Sequence, residues 1–395
     1  MDVNQPLALL AGLTPLQFMR RHWQKKPLLV RRAFPGFKPV LSRAELFKLA
    51  AQQQVESRLV QLQAEGWRMK QGPFGPRSLP ALTTPDWTLL VQGVDLHERR
   101  AHDLLQNFRF VPDARLDDLM ISFATAGGGV GPHFDSYDVF LLQASGRRRW
   151  MIGKQKDLTL REGVPLKILQ NFVPEQEFVL EAGDMLYLPP RYAHDGLAEP
   201  CIGADGKAAD CMTYSIGFRA PRRAELAGEL LQRLADFSGK EEGASSQALY
   251  RDSSQAATDT PAALPSSLLE FAEKAVHHAL KDPLALACVL GEYLTEPKAS
   301  VWFEGPSSVW STRHTGGVCL DPRTRMMYDT HHVFINGESY RARGLDATLM
   351  RRLADQRRLA PADLRRVSPS ALDLLADWHE AGWLVHPPGI GDEVQ

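Results

Sequence analysis

His133 and Asp135 stand two residues apart in "GPHFDSYDVF", directly after the glycine-rich "GGGVG". On a strand, residues i and i+2 project from the same face. An imidazole and a carboxylate would therefore enter the same space. A second imidazole, His194, follows in "EAGDMLYLPPRYAHDG", after a Gly-Asp turn, an apolar strand and a Pro-Pro corner. An HxD pair alone reads as readily as a hydrogen-bonded surface pair; the later histidine gives it weight. Two imidazoles and one carboxylate on β-structure make up the facial donor set of non-haem Fe(II) sites. Such a set leaves open positions for a bidentate 2-oxo acid and O2. Catalytic zinc keeps a single open position and fits less well.

A second chemical signal is the run Arg147-Arg148-Arg149-Trp150-Met151-Ile152. Period two puts Arg148 on one face with Trp150 and Ile152, and Arg147 and Arg149 on the other with Met151. A cation lining an apolar interior is costly unless paired. Guanidinium binds carboxylate through two parallel hydrogen bonds. The partner of Arg148 is then either the far carboxylate of a metal-chelating 2-oxoglutarate or an internal acid such as Asp184. Arg147 and Arg149 are expected in solvent.

The elements that must hold these residues are short strands. From Leu116 to Arg219, apolar runs alternate with Gly and Pro punctuation: "LMISFATAGGG", "DVFLLQASG", "RRWMIGK", "EFVLEAGDMLYLPP", "CMTYSIGFRAP". That texture predicts a β-sandwich or barrel. Ahead of it, "TPLQFMRRHWQKKPLLVRRAFP" predicts a helix capped by Thr14, with Pro15 at its first position, running into a strand. "SRAELFKLAAQ" predicts another, with Ser42 and Glu45 as a capping box. After Pro221 the period is helical in "RAELAGELLQRLADF" and again in "SLLEFAEKAVHHALKDPLALACVLGEYL", with polar linker sequence near Glu241 to Pro265. The last hundred residues mix strands ("VWFEG", "HHVFINGESYRA") with helices ("DATLMRRLADQRR", "SPSALDLLADWHEAG") and end in "WLVHPP". This suits a winged helix, and other small α+β domains equally. There is no internal repeat.

At 395 residues, 44% hydrophobic and 24% charged, the chain can build two or three domains with real cores. A formal net charge of −1 gives no global pull toward nucleic acid or membrane. The cysteines, Cys201, Cys211, Cys288 and Cys319, form no CxxC pair and are expected as buried free thiols. The N-terminal stretch lacks a basic region and a long apolar run, and no segment is long enough to span a bilayer. A cytoplasmic protein is expected.

Taken together, "GGGVGPHFDSYDVFLLQASGRRRW", "EAGDMLYLPPRYAHDG", "YSIGFRAP" and the N-terminal "FMRRHWQKKPLLVRRAFPG" resemble the JmjC-type 2-oxoglutarate oxygenases, and within them the bacterial ribosomal oxygenases of the cupin superfamily. The resemblance implies an α+β chain. Residues 1–220 would form a double-stranded β-helix (jelly-roll) oxygenase domain, 221–295 a helical dimerisation region and 296–395 a winged-helix-like domain. It implies Fe(II) held by His133, Asp135 and His194, 2-oxoglutarate bound through Arg148, and O2 as cosubstrate. A hydroxyl assisting the 2-oxoglutarate would come from Ser122 or Thr125, with Ser122 taken as the candidate. The implied reaction is hydroxylation of an arginine side-chain carbon in a large-subunit ribosomal protein, the sixteenth, by a homodimer. Ribosomal histidine hydroxylation and histone-type lysine demethylation use the same iron chemistry. A non-catalytic cupin and winged-helix binding module is the reading from another class.

For a substrate cation near the iron, Tyr137, Asp138 and Asp118 are candidates; equally, Asp138 caps a turn and Tyr137 packs. His277-His278 and His331-His332 are adjacent pairs, which do not face one another on a helix or strand, and are expected at the surface. Arg341 to Arg366 holds eight arginines. They read either as solvated helix faces, with Asp346, Asp355 and Asp363 among them, or as a basic patch for ribosomal RNA.

Overall fold

The computed structural model describes residues 2–202, 206, 209–238, 249–251, 264–280, 283–306 and 308–387. Most of the expected linker between Glu241 and Pro265 lies outside the described residues. The chain divides into two compact units, Met1–Ala220 and Pro221–Gln395.

In the first unit, α1 (Pro15–Arg21) starts at a capping box of Thr14 and Gln17, with proline at its first position. It leads to β1 (Leu28–Val30), and α2 (Arg43–Ala50) starts at the Ser42–Glu45 box. Then follow β2 (Ser57–Gln63), β3 (Gly66–Gln71), β4 (Trp87–Val91), α3 (Arg99–Leu105) and β5 (Leu116–Ala124). The remaining strands are β6 (Asp138–Ser145), β7 (Arg147–Gly153), β8 (Gln176–Leu180), β9 (Met185–Leu188), β10 (Ala193–Glu199) and β11 (Cys211–Phe218). One sheet has the order β1-β9-β6-β11-β5-β4-β2-β3; the other has the order β10-β7-β8. All pairings are antiparallel. This is the double-stranded β-helix expected, extended by three strands. Strands β2 to β4 begin well before Leu116, where the strand texture first becomes plain. β3 is a half-exposed edge strand carrying Arg68 and Lys70, which discourage further pairing.

Alternation along the strands sorts side chains between two cores. Val139 and Leu141 of β6 pack inside the barrel with Trp150, Ile152, Leu180, Leu186 and Leu188. Phe140 and Leu142 face the other way, into a larger core with Leu10, Phe18 and Trp23 of the N-terminal segment and Leu119, Ile121 and Phe123 of β5. The inner face of β5 therefore carries Asp118, Met120 and Ser122. This parity decides which polar residues reach the site.

The second unit contains α4 (Arg223–Ser238), α5 (Ser266–Ala279) and α6 (Pro283–Thr295). After them come β12 (Val318–Leu320), β13 (Met326–Tyr328), β14 (His332–Ile335), β15 (Glu338–Arg341), α7 (Gly344–Gln356), β16 (Arg358–Leu359), α8 (Pro361–Leu364), α9 (Pro369–Glu380) and β17 (Leu384–Val385). Two small sheets, β13-β14-β15 and β16-β12-β17, pack with α7 and α9 around Leu349, Leu353, Leu375 and Trp378. The "VWFEG" segment, expected as a strand, joins no sheet. It runs into Gly305-Pro306, and proline has no N–H for a ladder.

Candidate metal and cosubstrate site

The backbone joins the two halves of the donor set. The His133 N–H donates to the carbonyl of His194 at 2.9 Å, and the His194 N–H donates to that of His133 at 2.8 Å. This single antiparallel bridge replaces the continuous strand expected at the HxD segment. The chain enters it through Gly131, whose φ is +78° and where a Cβ would lie 2.5 Å from Ile168 and 2.9 Å from Trp67. Only glycine fits that backbone in that space.

One ligand atom each from His133, Asp135 and His194 lies within 4.8 Å of the others. His194 Nε2 is 3.8 Å from Asp135 Oδ2, and the two imidazole rings are 4.2 Å apart. Each ring is held by its other nitrogen: His133 Nδ1 meets the Gly131 carbonyl at 2.8 Å, and His194 Nδ1 meets that of Tyr192 at 2.9 Å. A carbonyl can only accept, so each Nδ1 carries the proton and each Nε2 is left as a lone-pair donor. Burial, reinforced by His133 and opposed by Asp135, pushes the pKa of His194 down to about 4. The ring is thus neutral and ready to ligate near pH 7. The Asp135 carbonyl accepts from the Arg191 N–H at 2.7 Å, which ties the carboxylate-bearing turn to the corner before β10.

Strands β7 and β10 pair so that Ile152 opposes His194, Trp150 opposes Gly196 and Arg148 opposes Ala198. Arg148 therefore shares the inner face with His194. It is only 5% exposed. Its Nη1 donates to Ser122 Oγ at 3.4 Å, while Nε and Nη2 are buried with no hydrogen-bond partner. Among the described residues, no carboxylate lies within ion-pairing distance of it. Asp184, the alternative internal partner, instead accepts from Arg31 Nη1 at 2.6 Å and from the Arg32 and Glu181 amides. A buried guanidinium with two idle donors is costly, and the pair of them suits an incoming carboxylate.

Ser122 faces the same interior. Its hydroxyl donates to the Thr213 carbonyl at 3.2 Å and accepts from Arg148. Thr125, beyond the end of β5, is bound to the Trp87 carbonyl, so Ser122 is the hydroxyl beside the guanidinium. Asp118 Oδ2 accepts from Gln92 Nε2 and the Gly93 N–H. Its Oδ1 and the Tyr137 ring both approach Gly217, lying 3.6 and 3.9 Å from where a Cβ would be. Burial, aided by Asp135 and Asp118, raises the Tyr137 pKa, so the phenol stays protonated.

Asp138 is a correction. It is fully buried on the outer face of β6, where it accepts from Tyr187 Oη at 2.6 Å, Gln24 Nε2 at 3.1 Å and Arg115 Nη2 at 3.3 Å. Strand parity turns it toward the N-terminal segment, away from the barrel interior that Val139 enters. Arg149 is exposed and Arg147 half-buried, and the two share Glu199. His277 and His331 are exposed, with His277 Nδ1 bonding the Glu273 carbonyl within α5, but His332, expected at the surface, is buried in β14 with its Nδ1 3.3 Å from Asp329. The His278 side chain lies outside the description. Among the described residues only the His133 group has metal-ligand spacing.

Sequence spacing does not single out Trp150 or Asp195. Trp150 lies 5.8 Å from the His194 ring and 5.8 Å beneath the Arg148 guanidinium. Asp195, beside the ligand His194, has a buried Oδ1 without a partner. Burial raises its pKa, opposed by His133 and Arg148. The identity of β10's partner strand, which no local signal carries, is what brings these groups to the site.

Comparison with known proteins agrees with this geometry. The JmjC domain matches residues 103–226, and the ROXA-like winged helix matches residues 278–385. The winged-helix match therefore includes α6 and starts before residue 296. Over 223 residues, 55% of this chain and 56% of the relative, the sequence is 42% identical to the ribosomal protein uL16 3-hydroxylase of Escherichia coli. It is 35% identical over 219 residues to a probable ribosomal oxygenase of Haemophilus influenzae, of which 52% is covered. The chain thus spans about half the length of these curated relatives. Solved structures of E. coli YcfD cover more. One has a TM-score of 0.80 at 30% identity over 94% of this chain and 98% of YcfD. Another, with a TM-score of 0.77 and 30% identity, is YcfD with cobalt and 2-oxoglutarate. With a donor set on the barrel's inner face, a winged helix after it in the chain and a likeness that runs through both, the chain belongs to the JmjC-domain ribosomal oxygenases.

Proposed function

We propose that this protein is an Fe(II)- and 2-oxoglutarate-dependent hydroxylase of an arginine side chain in a large-subunit ribosomal protein. The observation that carries the reading is Arg148: a buried guanidinium with two unpartnered donors on the same face as His194. The donor set fits a ferrous ion, with two imidazoles and one carboxylate and no thiolate. When bound, iron and 2-oxoglutarate supply the activation of O2 with loss of CO2 and formation of succinate. His133, Asp135 and His194 would hold the metal, and the Gly131 and Tyr192 carbonyls keep both rings aimed. Arg148, with Ser122 beside it, would bind the far carboxylate of the cosubstrate. Trp150, Ile152 and Val139 exclude water from around it.

For the substrate, the buried Asp118 and the more exposed Tyr137 would supply a carboxylate and a protonated phenol beside Gly217. A guanidinium would be held there by the acid while a methylene faces the metal. The 42%-identical E. coli relative, a uL16 3-hydroxylase, supports a ribosomal protein as the target. The reading is tested by incubating the protein with iron, 2-oxoglutarate and arginine-containing peptides of uL16. A gain of one oxygen on carbon is expected, and none when lysine replaces the arginine, since lysine lacks the planar fork. Oxidation of a histidine peptide alone would overturn the substrate assignment and leave the iron chemistry standing. Absence of succinate formation with every peptide would favour the binding module.

A homodimer is part of this reading. Leu231 of α4, Leu268, Leu269 and Val276 of α5 and Leu286 of α6 are exposed apolar side chains on three helices. A second copy covering them would remove that surface from water. Light scattering should then give about twice 44.0 kDa. A cytoplasmic location follows from a ribosomal substrate. Among the described residues, no helix is long and apolar enough to cross a membrane.

A further inference from the structure

The eight arginines between Arg341 and Arg366 do not behave alike. Arg352 is paired with Asp363, and Arg357 donates to the carbonyls of Asp321 and Thr324. Three others, Arg341, Arg343 and Arg351, converge on a cavity of about 380 Å³ at the start of α7. His331, in the turn between β13 and β14, joins them, and among the described residues no acidic side chain lines the cavity. Arg351 is held in place. It lies over the Tyr328 ring at 5.5 Å and donates through Nη2 to the Thr330 carbonyl at 2.8 Å. Arg341 makes one long contact, Nε to His332 Nε2 at 3.4 Å. Arg343 is exposed and, among the described residues, makes no side-chain hydrogen bond or ion pair. It also occupies the N-cap of α7, so no side chain caps that helix.

The nearest acids are turned away from the cavity. Asp329 accepts from the His331 and His332 amides and faces the His332 ring. Asp346, in the first turn of α7, is bound by the Ser368 amide and hydroxyl. Three guanidiniums thus face one concave, mostly polar space with no carboxylate among its described walls. They are not there to balance an internal charge.

We propose that this cavity binds phosphate groups of an RNA backbone. A tetrahedral phosphate offers acceptors in several directions, which suits forks arriving from β15, the N-cap and the second turn of α7. The uncapped helix start adds N–H groups and a positive dipole end. Among the described residues His331 is the one ring in the lining and no Phe, Tyr or Trp offers a base a broader platform, so the three guanidiniums favour backbone over sequence. For the same reason a free nucleotide gains little there beyond its phosphate. Successive phosphates of a polymer gain more, because Arg341 and Arg343 lie exposed at the rim. The site uses no barrel residue and stands whether or not the hydroxylase reading does.

The test uses the full chain and a fluorescent single-stranded RNA of about 20 nucleotides, followed by anisotropy across a salt series. Arg341→Glu/Arg343→Glu should weaken binding at least ~10-fold and flatten the log–log salt dependence by about 0.7 for each phosphate no longer neutralised. Arg365→Glu/Arg366→Glu, an equal change of charge elsewhere in the same unit, should weaken it less than ~2-fold. Arg343→Ala alone, which breaks no bond, should fall between the two and melt like the parent. Uncoupled 2-oxoglutarate turnover should be unchanged in all of them. Equal weakening by the two double variants would reduce the effect to net charge and overturn the site. So would failure of the parent to bind RNA at about 50 mM salt, where backbone contacts are strongest. Saturable binding of inorganic phosphate that RNA does not displace would overturn the polymer assignment.

Discussion

The two faces of the β7–β10 pair carry arginines one residue apart in opposite circumstances. Outside, Arg149 donates to Glu199 at 2.6 Å and to Glu177 at 2.8 Å, and Arg147 reaches Glu199 at 3.3 Å. Both guanidiniums there are ion-paired and partly open to water, although Arg147 Nε is itself enclosed without a hydrogen bond. Inside, Arg148 has neither; its Nε and Nη2 are buried and unpartnered beside Trp150. An exposed pair gains little because water already satisfies both charges. An enclosed cation without a partner is costly, and persists where a ligand supplies what is missing. The contrast sets one arginine in a run of three apart as the group proposed to bind the cosubstrate.

The largest effect that probes this contrast is at the metal. His133→Ala or His194→Ala should lower succinate formation by at least about three orders of magnitude, since metal ligation supplies several kcal/mol to the reaction. Bound iron, measured on the same samples, should fall with it. Turnover near the parent level with iron retained would mean the inner face holds the metal with other residues.

Next is Arg148 itself. Arg148→Met should weaken 2-oxoglutarate binding by about 2–5 kcal/mol, the range for truncating one partner of a buried pair. In the cosubstrate-free protein it should raise the melting temperature, because a buried cation with idle donors is replaced by an apolar side chain of similar length. A structural arginine would behave the opposite way, with lower stability and unchanged 2-oxoglutarate affinity.

Much of this contrast is legible in the chain because it rests on period two. The run from Arg147 to Ile152 assigns faces without any knowledge of the partner strand, and His133 and Asp135 are close in sequence. Asp138 shows the limit. It is adjacent to Tyr137, but its partners Tyr187 and Gln24 lie 49 and 114 residues away. Parity alone puts it on the face opposite Val139, yet which face is the barrel interior depends on where the N-terminal segment packs. The idle donors of Arg148 are likewise illegible, since in sequence Asp184 is an equally good partner, and only the fold places Arg31 on it. Strands β2 to β4 escape sequence reading because "SRLVQLQ" and "WTLLV" are short, and they join the sheet only through the pairing of β4 with β5, which is long-range.

A smaller effect sharpens the inner face as a packing surface. Gly196 lies opposite Trp150, and a Cβ there would sit 2.6–2.8 Å from three carbons of the indole ring. The ring is only 5% exposed and cannot swing out. Gly196→Ala should therefore cost about 1–3 kcal/mol, as overpacking does. Calorimetry would register this as a lower melting temperature. It should also disturb iron binding, because the displaced indole is next to the His194 ring. An unchanged melting temperature would mean that the two strands separate more readily than their ladder suggests.

The smallest effect belongs to the outer face. Arg149 is about half exposed, and Glu199 keeps Arg147 if Arg149 is removed. Glu177, half exposed itself, returns to water. Arg149→Ala should thus cost less than about 1 kcal/mol in urea unfolding. That cost should vanish near 1 M salt, where the screening length is about 3 Å. Affinity for 2-oxoglutarate should be unchanged, because the side chain is on the far side of the strand from Ser122 and His194. This null result is as informative as the loss at Arg148. The two substitutions differ by one residue, and a one-residue slip in register exchanges the faces. If Arg149→Ala weakened 2-oxoglutarate binding and Arg148→Met did not, β7 would be paired one residue out of register, and Trp150 and Ile152 would leave the interior with it.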